Sequence, residues 1–265
     1  MSIFKPCRRH FSIAILLAFA LPGLSIAASP DPREDGPLGL ITTAQTAAVD
    51  RTELRRLLLE RGLPQLERLK REGRVQDYRV LFSRYVDSEG FDVLVQLSFA
   101  RYADVARWRE VEDTSPGGLP QEALRLIKTM ATVPVDRMRE GEAKALSKQP
   151  TFLVIPYDYF VSTNDYLKYL DGYVIPQFNG WIDEGVVSRY GLYFSRYAAG
   201  RPWASMFLLE YRDDAALGQR DVAVGKVRAR LAASPEWRAI ADNKQKIRVE
   251  RAPVIADRLS LPPTQ

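Results

Sequence analysis

Apolar residues recur along this chain in two rhythms, one helical and one strand-like, and the same succession of rhythms occurs twice. Leu54, Leu57 and Leu58 mark a helical face in the first passage, and Tyr166, Leu167 and Leu170 mark one in the second. Each face then meets a proline, in Pro64-Gln65 and Pro176-Gln177. A proline inside a helical run removes a hydrogen bond, so the pattern predicts a broken helix whose second part begins near the proline. Leu66 and Leu69, matched by Phe178 and Trp181, continue the face. Glu72-Gly73 and Glu184-Gly185 end it with a glycine suited to the left-handed conformation that terminates helices. A period of two follows: Tyr78, Val80, Phe82 and Arg84 share one side of a strand, as do Tyr190, Leu192, Phe194 and Arg196. Short turns at 86–90 and 198–202 lead into second strands over 91–100 and 203–212, so each passage should contain an antiparallel hairpin. Asp104 and Asp213-Asp214 then open a further helix, whose stripe in the later passage is Leu217, Val224, Val227 and Leu231.

Shifted by 112 residues without a gap, residues 49–103 match residues 161–215 at 14 of 55 positions. Unrelated segments of ordinary composition would share roughly 3, so the chain reads as an internal duplication. With an opening strand over 152–160, where Pro156 marks an edge, and a closing strand over 247–249, the second passage reads β-α-β-β-α-β. That is the ferredoxin-like split βαβ order. The first passage has a weaker opening strand over 38–43, and extra helical segments are expected over 120–130 and 135–146, around Pro116-Gly117-Gly118. The boundaries are a leader at 1–27, a linker with the weak first strand at 28–48, repeats at 49–150 and 151–259, and a tail at 260–265.

Composition changes this picture mainly through the leader. Lys5, Arg8 and Arg9 precede an apolar stretch over 11–21, Pro22-Gly23 break any helix, and Ser25-Ile26-Ala27 offers small residues to a signal peptidase. The stretch falls short of the roughly 20 residues that span a bilayer, and Arg8-Arg9-His10-Phe11 suits either a general or a twin-arginine export route. The whole chain has 38 Lys and Arg against 33 Asp and Glu. Without the leader the basic count falls to 35, which removes the electrostatic case for nucleic acid. The same cut takes Cys7 and His10, the only cysteine and histidine. A mature chain lacking both has no means to build a Ser-His-Asp or Cys-His nucleophile system, a Cys/His zinc site, a His-ligated haem or a disulfide. No other stretch is long and apolar enough to cross a membrane. The expected product is a soluble exported protein, periplasmic or extracellular, as a monomer or homodimer.

The succession of a proline, apolar residues at helical spacing, Gly-Val and a tyrosine-rich strand resembles the dimeric α/β barrel superfamily. The likeness is greatest to its NIPSNAP-like and antibiotic-biosynthesis-monooxygenase-like branches. Leu209-Glu210-Tyr211-Arg212-Asp213-Asp214 is similar to that superfamily's strand-to-helix junction, and Ser234-Pro235-Glu236-Trp237 to its closing Pro-Glu-Trp. The resemblance covers about residues 151–250 and, through the repeat, 49–105. It implies an α+β fold in which two tandem ferredoxin-like (βαββαβ) units pair their sheets into one barrel within a single chain.

The longest run shared by the two passages is Phe82-Ser83-Arg84-Tyr85 and Phe194-Ser195-Arg196-Tyr197. If Arg84, Arg196, Tyr85 and Tyr197 face a cavity, they can hold an anionic or aromatic ligand through charge-assisted hydrogen bonds and stacking. The alternative is that each arginine pairs with a carboxylate near the hairpin end and each tyrosine packs a sheet face. Tyr78 and Tyr190, with Phe91 and Trp203 at matched strand positions, are candidates for barrel lining or for plain core. Asp183-Glu184, Asp213-Asp214 and Glu210 read as solvated helix-end acids, not as catalytic or metal-binding groups. Ser195 has no histidine to activate it. The expectation is a binding or accessory protein with no cofactor and no metal, taking a small apolar or aromatic ligand with or without an anionic group. Two alternatives stand beside it: a cofactor-independent monooxygenase or isomerase, as the resemblance implies, and a protein-interaction module with a filled barrel.

Overall fold

Alternating apolar and small polar residues over Gly39–Thr46 form the first strand, β1. In the computed structural model Gly36 and residues 38–261 are described, and they belong to one unit, Pro32–Gln265. The expected leader and the outer parts of both tails lie outside the described residues. After β1 come α1 (Arg51–Leu57), a π-helical turn (Leu58–Gly62) and α2 (Leu63–Arg71). The hairpin β2 (Asp77–Ser83) and β3 (Val93–Ser98) follows, then α3 (Tyr102–Glu112), the single turn α4 (Gln121–Leu124) and the long strand β4 (Ile127–Glu142). The second half repeats the order with β5 (Thr151–Tyr159), α5 (Thr163–Tyr169), a π-helical turn (Leu170–Val174), α6 (Ile175–Asp183), β6 (Val187–Ser195) and β7 (Ser205–Tyr211). It ends with α7 (Asp214–Gly218), α8 (Arg220–Leu231), α9 (Pro235–Asn243), β8 (Arg248–Glu250) and β9 (Val254–Arg258). The segments from α1 to α2 and from α5 to α6 are offset by 112 residues at every boundary.

Three expectations need correction. The second parts of the proline-bearing helices do begin at the prolines, at Leu63 and Ile175, but no break separates them from the first parts. The N–H of Leu63 reaches the carbonyl of Leu58, and that of Ile175 the carbonyl of Leu170, so a five-residue step takes up the mismatch that the missing N–H of Pro64 and Pro176 would cause. The helices expected over 120–130 and 135–146 are instead one helical turn and the strand β4, where Ala131, Val133 and Val135 keep a period of two until a bulge between Arg137 and Arg139 shifts the register. The strand expected at 247–249 is β8, a short piece beside β5, and the closing strand is β9, which continues the same line along β5.

The strands run β7-β6-β4-β1-β3-β2-β9-β5, and β5 pairs again with β7, which closes an eight-stranded antiparallel barrel. Each half has the same internal order, β4-β1-β3-β2 and β9-β5-β7-β6, and the halves join where β4 meets β6 and β2 meets β9. Side chains from all eight strands fill the barrel's waist, among them Ile41, Leu81, Leu94, Val133, Phe152, Tyr193, Met206 and Ala256. Helices cover the outer face, and there the halves differ. The first packs Leu54, Leu58, Leu66 and Leu69 on Val80, Val95 and Leu97. The second packs Tyr166, Tyr169, Tyr173, Phe178 and Trp181 on Tyr157 and Phe207.

Candidate functional site

The aliphatic layer of the first half closes by simple interdigitation, whereas flat rings in the second leave a gap. Tyr157 lies 4.6 Å from Phe207, Tyr169 5.3 Å from Tyr173, Tyr173 4.9 Å from Trp237, and Phe178 5.0 Å from Trp181, all centroid to centroid. Among them is a cavity of about 270 Å³ lined by Tyr157, Tyr169, Tyr173, Phe178 and Trp181 and by Gln177, Arg220, Arg228, Lys244, Arg248 and Glu250. Local geometry holds it open. The Tyr173 carbonyl, in the π-helical turn, accepts from Gln177 Nε2 at 2.8 Å and from Trp237 Nε1 at 3.2 Å, which docks α9 on the site. Gly180 lets α8 come so near α6 that a Cβ there would stand 2.6 Å from Val227, and Arg228 Nε thereby reaches Gln177 Oε1 at 2.8 Å.

Arg248 dominates the electrostatics. Its guanidinium carbon sits 3.9 Å above the Tyr157 ring, 4.9 Å from that of Phe207 and 5.3 Å from that of Tyr169. No carboxylate forms an ion pair with it among the described residues. Arg248 Nη1, Trp181 Nε1 and Arg220 Nε are shielded from solvent and lack a hydrogen-bond partner among the described residues, an unusual concentration of unmet polar groups around one cavity, while the Tyr166 and Tyr169 hydroxyls stand against the Arg248 guanidinium. Burial pushes the Tyr157 and Tyr169 phenols well above the ordinary tyrosine value, against the opposing pull of Arg248, so both stay protonated. Tyr157 donates to Glu250 Oε2 at 2.9 Å. With four cationic side chains and one carboxylate in its lining, the pocket suits a flat anion. It does not suit a haem: among the described residues no histidine or cysteine lines it to serve as axial ligand, and Tyr157 and Tyr169 hold their protons.

The residues expected from sequence sit elsewhere. Arg84 donates to Asp257 at 2.7–3.0 Å and to Thr151 at 3.1 Å, and pairs with Asp214 at 2.6 Å, fastening the first hairpin to β9 and α7. Arg196 pairs with Asp136 at 3.4 Å. Both arginines therefore take the carboxylate-paired arrangement, and Arg84 with its partners Asp214 and Asp257 also lines an open space of about 630 Å³. Tyr85 and Tyr197 are 66% and 61% exposed and line no cavity among those described. Tyr78 and Tyr190 turn outward to the helices of their own halves, donating to Glu67 and Asn179, each at 3.1 Å. They border only a crevice of about 80 Å³ and do not line the barrel interior. Trp203 does line a cavity, of about 500 Å³, at the hairpin end of the barrel. That space is larger than the aromatic pocket but carries fewer unmet polar groups. Sequence reasoning missed Arg248, Tyr157 and Tyr169 as site residues. The available signal was that aromatic residues in α5 and α6 replace leucines at matched positions of α1 and α2.

No protein-family model and no curated protein matches this chain. Solved structures do. A protein from Lactobacillus acidophilus NCFM designated a monooxygenase is 13% identical, over 85% of this chain and 95% of that one, with a TM-score of 0.53. An anthrone oxidase-like protein is 10% identical over 86% and 93%, TM-score 0.53. A variant chlorite dismutase from Candidatus Nitrospira defluvii is 12% identical over 86% and 92%, TM-score 0.50. The fold is dimeric-α/β-barrel-like. At such identities the likeness is one of architecture, and the site must be argued from this chain's own residues.

Proposed function

We propose that this protein binds a small aromatic anion in the pocket between the outer face of β5 and β7, helices α5, α6 and α8, and the segment 244–250. The observation that carries the reading is Arg248, a guanidinium set among three rings with no carboxylate partner and with Nη1 unmet. A guanidinium only partly exposed and with no carboxylate paired to it among the described residues is poorly compensated, and a ligand carboxylate or sulfonate would supply the counter-charge. The rings give the stacking surface, and the protonated phenol of Tyr169 and the indole N–H of Trp181 give neutral donors. A cavity of about 270 Å³ suits a ligand of one or two fused rings.

The test uses 2-naphthoate as probe, titrated by calorimetry. Saturable binding is expected, and Arg248→Gln should weaken it about 10- to 100-fold, the loss of a charge-assisted contact of about 1.5–3 kcal/mol. Arg84→Gln, whose partner carboxylates lie outside the pocket, should leave binding unchanged. Equal affinity in Arg248→Gln and the parent protein would sink the proposal. A second reading, oxidation of the bound aromatic without a cofactor, draws support from the fold shared with proteins designated monooxygenase and anthrone oxidase-like. Oxygen uptake with anthrone that disappears in Arg248→Gln would favour it, and no uptake would leave binding alone.

A further inference from the structure

The cavity at the hairpin end of the barrel lies on the other face of β5: Pro156 lines it, whereas Ile155 and Tyr157 line the aromatic pocket. Its walls come from positions 112 residues apart in the two halves, Phe91 with Trp203, Gly90 with Pro202, and Ala44 with Pro156. Phe91, Trp203, Met206 and Val254 also belong to the apolar interior of the barrel, so the cavity is a continuation of that core towards solvent. Gly90 keeps the space clear, since a Cβ there would stand 2.8 Å from Val254. The polar wall is either committed or, as with the Glu89 carboxylate, exposed to water at the rim. Gln45 donates to the Gly90 carbonyl at 2.5 Å and accepts from Thr129 at 2.9 Å, and Arg251, the one cation of the lining, donates to Asp158 at 2.8 Å. The exception is Trp203, which is 3% exposed and whose indole N–H is shielded and has no acceptor.

We propose that this cavity is a second binding site, for a neutral and mainly apolar molecule of one or two rings carrying a hydrogen-bond acceptor. Neutrality follows from Arg251 being paired and from Glu89, the one carboxylate of the described lining, being exposed to solvent at the rim. The apolar character follows from the wall, and the size from about 500 Å³ of space, within the range of small-molecule sites. The site draws on both halves and shares no lining residue with the pocket around Arg248.

The four tryptophans, Trp108, Trp181, Trp203 and Trp237, give the readout. In the ¹⁵N-labelled full chain, Trp203→Phe assigns one indole N–H resonance and Trp181→Phe another. Titration with neutral 2-acetylnaphthalene should move the Trp203 resonance saturably and leave that of Trp181 in place. Ala131→Phe, which puts a ring into the cavity, should cut the affinity for 2-acetylnaphthalene at least tenfold while 2-naphthoate binding persists. Should that variant not fold, Ala252→Phe fills the opposite wall and carries the same expectation. A stationary Trp203 resonance, a shift that survives the filling variant, or movement of Trp181 instead would each overturn the proposal, the last by assigning the probe to the pocket around Arg248.

Discussion

Tyr157 and Tyr169 hold their protons because burial penalises the phenolate more than Arg248 favours it, and burial likewise raises Tyr78 and Tyr211 to about 12. The unfolded chain gives up these protons near the ordinary value of about 10. The folded state binds more protons above that pH, so stability from these groups is complete below pH 10 and falls as pH rises towards the folded values. Phenolate absorbance from the buried tyrosines should therefore grow in step with loss of near-ultraviolet circular dichroism above pH 10; early phenolate signal from an intact fold would contradict the packing. At this scale the sequence was half legible. The aromatic stripe of α5 and α6 was visible in Tyr166, Phe178 and Trp181, but Arg248 was not. It lies in a short strand without a motif, and the rings beneath it, Tyr157, Tyr169 and Phe207, come from three other elements whose approach depends on barrel closure.

Helices α6 and α8 meet at Gly180, and that contact sets the width of the pocket. Gly180→Ala should destabilise by about 1–3 kcal/mol through overpacking against the stiff Val227. Gly225→Ala, in α8 with nothing within 4 Å of the new Cβ, should stabilise by about 0.5–1 kcal/mol from helix propensity alone. Urea denaturation of the two variants checks both signs, and a stable Gly180→Ala would mean that α8 sits further out. The elements themselves could be read where periodicity was clean: the hairpins, the proline positions and the glycine stops lie where the pattern put them. The π-helical turns escaped because a proline reads alike whether a helix breaks or bulges. Strand β4 escaped because Arg137, Arg139, Glu140 and Glu142 give its second part the composition of an exposed helix, and the bulge interrupts the alternation that identified its first part.

Neither half of the molecule owns a complete set of strand partners. β4 pairs with β1 on one side and β6 on the other, and β9 pairs with β2 and β5. Unfolding should accordingly be a single transition, with the fluorescence of Trp108 in the first half and of Trp237 in the second changing at the same urea concentration, read in single-tryptophan variants; separate midpoints would mean that the halves are independent. Barrel closure was anticipated from the resemblance. What lay beyond sequence was the use of the two outer faces, one for aliphatic packing and one for an aromatic pocket, because equivalent strands and helices accept either. The length of β4 also has a consequence in time. On the ribosome the first half is made well before β6 and β9, and at roughly 5–20 residues per second its two flanking strands wait on the order of 10 s for their neighbours. Arg137, Arg139, Glu140 and Glu142 lie on the waiting stretch of β4, where like-sequence chains would otherwise zip together. The charges that disguised this strand as a helix thus lie on the stretch whose edge stays open to another copy until β6 is made.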